Sequence, residues 1–227
     1  MTIRKARSSP LKVFGIGLNK TGTKTLGACL RQLGFRNQSY SGEALRDYQQ
    51  GAFGPLFDII ERFDSFEDWP WPLMWRQVFE KYGASARYIL TTRRSAEVWV
   101  ESLKAHSLTT HPTRAMRPLI YGYYYPHGYE AEHKEAYLGH NSEVRAFFAR
   151  EAPQAFLEVC WETGSSWPQL CNFLHKPIPD VPLPHERPRS SGVEEAVRAA
   201  NLAAIHRQLA DLQAGRKVVP RGALIHP

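Results

Sequence analysis

The sequence predicts an α/β fold: a single domain with a central parallel β-sheet of about four or five strands flanked by helices. Three observations carry that expectation. Short apolar, β-prone runs alternate with segments of helical periodicity along the chain. The first such pair, "KVFGIGLNKTGTKTLGACLRQLGF" at 12 to 35, passes from strand to helix through a glycine-bearing turn. A chain of 227 residues with 43% hydrophobic content can bury one sizeable core, and no internal repeat or linker divides it.

Taken in order, "KVFGIG" (12 to 17) reads as the opening strand, and Leu26, Leu30 and Leu33 share a helical face before Gly34 ends it. "LFDIIERF" (56 to 63) is predicted as the second strand, followed by the loop "DSFEDWPWP" and a helix near 73 to 82. "ARYILTT" (86 to 92) is the next strand and 96 to 105 the next helix. Residues 106 to 140 lose the pattern and are rich in Tyr, His and Pro, so they are expected to fold as irregular helices, a lid over the mouth of the sheet. Asn141 is expected to cap a helix carrying Val144, Phe147 and Phe148, with "QAFLEVCW" (154 to 161) a further strand and "SSWPQLCNFL" a short helix. A capping box at Ser191 and Glu194 predicts the last helix, which runs along Val197, Leu202, Ile205, Leu209 and Leu212 to Gly215. Residues 1 to 11 form a basic tail, leaving 12 to 227 as the domain.

A net charge of +7 and a pI near 9.4 favour an anionic ligand. Nucleic acid, a nucleotide and an acidic surface all satisfy that. The 29 Lys and Arg are scattered among 22 acidic residues rather than striped, which counts against nucleic acid as the partner. No apolar run has the length of a membrane span, and the first ten residues lack an apolar signal core, so a cytoplasmic address is expected. Cys29, Cys160 and Cys171 form no C-x-x-C pair and the nine histidines show no ligand spacing, so neither a disulfide framework nor a metal is expected. No heptad or apolar stripe marks an oligomer interface.

Gly17 and Gly22 stand as far apart as the glycines of a nucleotide-hydrolysing P-loop, but Thr23 intervenes before Lys24 and Thr25. That offset misplaces both the lysine and the magnesium-binding hydroxyl. What remains is a helix N-terminus whose amides, from Thr21 to Thr25, point at an anion, with Lys20 beside it.

The run Lys20-Thr21-Gly22-Thr23 resembles the loop that grips the 5′-phosphosulfate of 3′-phosphoadenosine 5′-phosphosulfate (PAPS) in the nucleotide-dependent sulfotransferases. That family also places an Arg at the end of a later strand and a Ser eight residues on, and here Arg94 and Ser102 stand at that spacing. Arg93 is one step out of register, with Glu101 as its partner at eight residues. The surrounding text extends the resemblance over about residues 12 to 187, loosely across 106 to 140.

The resemblance implies a P-loop-like sulfotransferase fold, PAPS as sulfuryl donor and adenosine 3′,5′-bisphosphate as product, with no metal. It implies that Lys20 serves the leaving phosphate, that Thr21, Gly22, Thr23, Lys24 and Thr25 bind the 5′-phosphate, and that Arg94 and Ser102 bind the 3′-phosphate. Asp68, in "EDWP", occupies the slot of the family's base, where the cytosolic branch has histidine. Asp64 and Glu67 are its rivals, and His106, His111 and His127 are reserves. Tyr121, Tyr123, Tyr124 and Tyr125 either line an acceptor pocket or pack a lid onto the core. Arg187 and Arg189 stay open as further 3′-phosphate contacts. The acceptor is a hydroxyl, less readily an amine, on a small molecule, a carbohydrate or a tyrosyl group. Two alternatives remain: a P-loop kinase using ATP and Mg²⁺ on a small molecule or nucleoside, and a non-catalytic basic nucleic-acid-binding or regulatory module.

Overall fold

The structure, a computed structural model, describes residues 11–110, 116–184, 195–216 and 224. The tail at 1 to 10, His111, Arg187, Arg189 and the capping box at Ser191 and Glu194 lie outside the described residues.

Among the described residues five strands form one sheet: β1 (Val13–Gly15), β2 (Asn37–Gln38), β3 (Ser65–Phe66), β4 (Arg87–Thr91) and β5 (Phe156–Val159). Their order is β2-β3-β1-β4-β5, and every pairing is parallel. Val13 is in register with Ser65 on one side and Arg87 on the other, which makes β1 the central strand. Because all strands run the same way, their carboxyl ends open at a single edge, where ligands of open α/β sheets bind.

The pleat sends alternate side chains to opposite faces. Phe14, Tyr88 and Leu90 enter one core with Leu56, Ile60, Val78 and Phe148, while Val13, Ile89 and Val159 enter the other with Leu26, Leu30 and Leu170. Among the described residues the helices are α1 (Thr23–Gln32), α2 (Gly42–Gln49), α3 (Phe53–Arg62), α4 (Trp75–Tyr82), α5 (Ala96–Ser107), α6 (Met116–Tyr121), α7 (Glu130–Glu151), α8 (Trp167–Leu174) and α9 (Glu195–Gln213), of which α1 to α4, α7 and α8 supply side chains to these two cores. A third cluster, around Leu18, Trp69, Trp99, Tyr121 and Tyr137, closes the mouth of the sheet.

Two expectations are corrected. Residues 56 to 63 are not a strand: Leu56 and Ile60 are buried one helical turn apart in α3, and the strand is the short β3 that follows. The buried Lys12 ammonium donates to Ile60 O at 2.7 Å and Phe63 O at 2.5 Å, satisfying carbonyls at the end of α3 that a helix leaves open. Asn141 does not cap a helix. It is buried in the middle of α7, which begins eleven residues earlier, at Glu130.

Candidate active site

The turn from β1 to α1 is held from below and from both sides. Gly17 lies so close to β4 that a Cβ there would stand 2.2 Å from Thr91 Oγ1 and 2.3 Å from Thr91 O. Thr21 Oγ1 donates to Leu18 O at 2.6 Å, which spends its one hydrogen, so Thr91 Oγ1 donates to Thr21 Oγ1 at 2.5 Å. His140, reaching in from α7, bonds Ile16 O through Nε2 at 2.7 Å. Trp99 Nε1 donates to Asn19 O at 2.9 Å, and the Tyr121 hydroxyl reaches the Asn19 side chain. Trp161 covers the other flank: its Nε1 donates to Gly22 O at 3.2 Å, and a Cβ on Gly22 would stand 2.3 Å from its ring.

Gly22 is the N-cap of α1 in the left-handed region (φ 90°), with no side chain capping the helix and no acidic residue in its first turn. Thr21, Thr23 and Thr25 are buried and Lys24 is exposed. The first-turn amides and the positive end of the helix dipole are thus left for an external anion.

Lys20 and Asp68 share an unusual backbone state: both have positive φ, 68° and 65°. Such a conformation costs an L-residue about 1–2 kcal/mol. Lys20 is half-buried, and burial first, then Lys24 and Arg93, lowers its pKa, with Asp68 opposing. Asp68 is half-buried with its carboxylate accepting from the Trp69 amide at 2.9 Å. Burial raises its pKa, opposed by the Trp69 amide and by Lys24 and Lys20. An acid and an ammonium that sense each other, each partly desolvated, make a pair suited to proton and charge transfer.

The rivals of Asp68 point elsewhere. Asp64 precedes β3, at the far edge of the sheet, and is locked to Arg36 by two hydrogen bonds of 2.9 Å. Glu67 is 1% exposed beneath α1, where its Oε1 would stand 2.6 Å from a Cβ on Gly27. Burial pushes its carboxyl up to about 7, with Asp68 adding to the rise and Ser39 and Asn37 opposing.

Beyond β4, Arg94 is exposed and its amide donates to Glu162 Oε2 at 3.0 Å, while Ser102 is half-buried in the second turn of α5. Arg93 is less open: its guanidinium pairs with Glu162 at 3.3 Å, its amide donates to the Tyr137 hydroxyl at 2.9 Å, and its buried Nε has no hydrogen-bond partner among the described residues. Sequence reasoning set Arg93 aside as one step out of register and did not single out Trp161 or Glu162, whose contacts join β4, the segment after β5 and the loop.

Among the reserve histidines, His106 lies near Lys20, Lys24 and Arg117, and burial first, then those charges, pushes its pKa down to about 4. Burial also lowers His127. Tyr121, Tyr123 and Tyr125 are buried and Tyr124 is exposed, so three of the four rings are packed inside the protein. Among the described residues no cluster of three or more His, Cys, Asp or Glu is placed to hold a metal ion, and no helix is long and apolar enough to cross a membrane.

With this geometry in view, the comparisons with known proteins are specific. The Ava biosynthesis cluster protein M of Aspergillus versicolor is 26% identical to this chain over 211 residues, covering 77% of this chain and 80% of that protein. The family model described as "Sulfotransferase domain" matches residues 12–191, most of the chain. The chain belongs to the sulfotransferase domain family.

Proposed function

We propose that the protein transfers a sulfuryl group from PAPS to a hydroxyl, or less readily an amine, of a small-molecule, carbohydrate or tyrosyl acceptor. The observation that carries this reading is the convergence of Lys20, Asp68 and the uncapped N-terminus of α1 at the carboxyl edge of the sheet. The buried Arg93 Nε, without a hydrogen-bond partner among the described residues, adds a donor at the same edge, suited to an anion.

When bound, PAPS supplies an activated sulfuryl group on a phosphate leaving group. The chain's residues account for the rest. The amides of Thr21 to Thr25, helped by Lys24, hold the 5′-phosphate, and Arg94 with Ser102 binds the 3′-phosphate. Asp68 takes the proton of the acceptor hydroxyl as the new S–O bond forms, and its raised pKa makes it a better base than an ordinary aspartate. Lys20 stabilises the charge left on the phosphate oxygen as the old S–O bond breaks. Positioning and charge stabilisation carry the catalysis, as in phosphoryl transfer, and the products are a sulfate ester and adenosine 3′,5′-bisphosphate. We assign this chemistry to the cytoplasm.

The test is a thermal-shift titration with adenosine 3′,5′-bisphosphate, ADP and ATP, each with and without Mg²⁺. Stabilisation by the bisphosphate without metal, lost in Arg94→Ala, supports the reading. Stabilisation only by ATP with Mg²⁺ overturns it.

A further inference from the structure

Helix α9 begins at Glu195, beyond the family-matched span that ends at residue 191, yet it is fastened to the lid next to the site. Its most deeply buried residue is polar. Asn201 is 0% exposed, and its amide is nearly saturated: Nδ2 donates to Leu108 O at 3.1 Å and to Thr110 O at 3.0 Å, and Oδ1 accepts from the Tyr125 hydroxyl at 2.7 Å. Two turns further on, Gln208 Nε2 donates to Tyr125 O at 3.1 Å and to His127 O at 2.6 Å. Gly128 is pressed on the same helix, for a Cβ there would stand 2.5 Å from Leu212.

A leucine would form helix more readily than asparagine and carry no desolvation cost, so packing alone does not account for a buried amide at this position. What the amide does is tie two backbone carbonyls at the end of α5 to a lid tyrosine. Those carbonyls adjoin His106. The Thr110 hydroxyl lies 3.1 Å from His106 O and 3.4 Å from His106 Nε2, and the imidazole senses Lys20 in the loop, Lys24 on α1 and Arg117 on α6.

We propose that Asn201 is a positioning residue: by fixing Leu108 and Thr110 it sets where His106 stands beside Lys20, and so makes α9 part of the acceptor side of the site. The inference rests on the sulfuryl-transfer reading for the meaning of that side.

The experiment uses the full chain labelled at histidine, with the His106 ring followed by NMR through a pH titration, with and without adenosine 3′,5′-bisphosphate. In the wild type burial and the neighbouring charges are expected to hold the His106 pKa at about 4, and it should move up when the bisphosphate offsets the charges of Lys20 and Lys24. In Asn201→Leu the free protein's His106 moves toward its ordinary value of about 6.5 and its response to the bisphosphate falls by about half, while bisphosphate affinity stays within about twofold. Tyr125→Phe removes one of the three bonds and keeps the ring, so it shifts His106 the same way by less, and it decides the matter if Asn201→Leu fails to fold. Unchanged His106 titration in the folded variants overturns the positioning role. Failure of the wild type to bind the bisphosphate at all overturns the sulfuryl-transfer reading instead.

Discussion

The hydroxyls of Thr21 and Thr91 lie 2.5 Å apart, joining the turn between β1 and α1 to the end of the neighbouring strand across seventy residues of chain. Thr91 is the donor in this pair, and Gly17 lets the two segments approach that closely. Thr91→Val is expected to cost about 1 kcal/mol, lowering the melting temperature by about 2–4 °C. Gly17→Ala drives a methyl into Thr91 backbone and is expected to cost about 1–3 kcal/mol and to weaken bisphosphate binding. Denaturant melts of both variants check the order.

Lys20 combines a positive φ with the charge proposed to serve the leaving phosphate, which separates stability from activity. Lys20→Ala is expected to lose turnover by a factor of about 10²–10³ or more. Lys20→Gly is expected to be equally inactive yet more stable than the alanine variant by about 1 kcal/mol, because glycine adopts φ 68° freely. Wild-type turnover in either variant removes Lys20 from the chemistry.

For Asp68 the sign of the pH effect is set by burial. Its folded pKa is raised, so the carboxylate proposed as base disappears as pH falls through a value above that of an ordinary aspartate. The rate should fall on that acidic limb, measured as kcat at saturating PAPS. Asp68→Asn should remove the limb along with about 10²–10⁴ of the rate, leaving bisphosphate affinity intact.

Glu67 gives a prediction about stability alone. Burial pushes its carboxyl up to about 7 when folded, so between its unfolded value and that point the folded state holds the extra proton, and stability falls as pH rises across that window. Glu67→Gln removes the penalty. The variant should gain about 2 kcal/mol at mildly alkaline pH, or about 4–8 °C, and little at acidic pH where the wild-type carboxyl is already neutral. Melting curves at the two pH values test it, and equal gains at both sink the assignment.

How much of this was legible beforehand depended on how local each signal is. β1, β4 and β5 were readable because short apolar runs bounded by breaks carry their own pattern, and Leu26 with Leu30 showed the buried side of α1. Residues 56 to 63 misled because a short apolar run does not declare its period. Extending the window back to Phe53 exposes the helical recurrence of Phe53, Leu56, Phe57 and Ile60. Asn141 misled because a good capping residue in mid-helix looks like a boundary until the turns preceding it are recognised as helical. In the candidate site, Lys20 and Gly22 were picked out from a local motif and Asp68 from the slot it occupies in the family resemblance. Trp161, Glu162, His140 and Asn201 were not, since each acts on a partner far away in sequence, and nothing in its own neighbourhood encodes that partner.

The contact between Trp161 and Gly22 spans 139 residues, and β1 pairs only with strands that arrive much later in the chain. A ribosome therefore releases the anion loop long before the walls that shape it exist. Closing so long a segment is slow relative to forming local helices. During refolding, helical signal should return first and the capacity to hold the bisphosphate last, so ligand capture becomes a clock for the final step of assembly. A nascent chain stalled before β5 would carry the whole motif and still bind nothing.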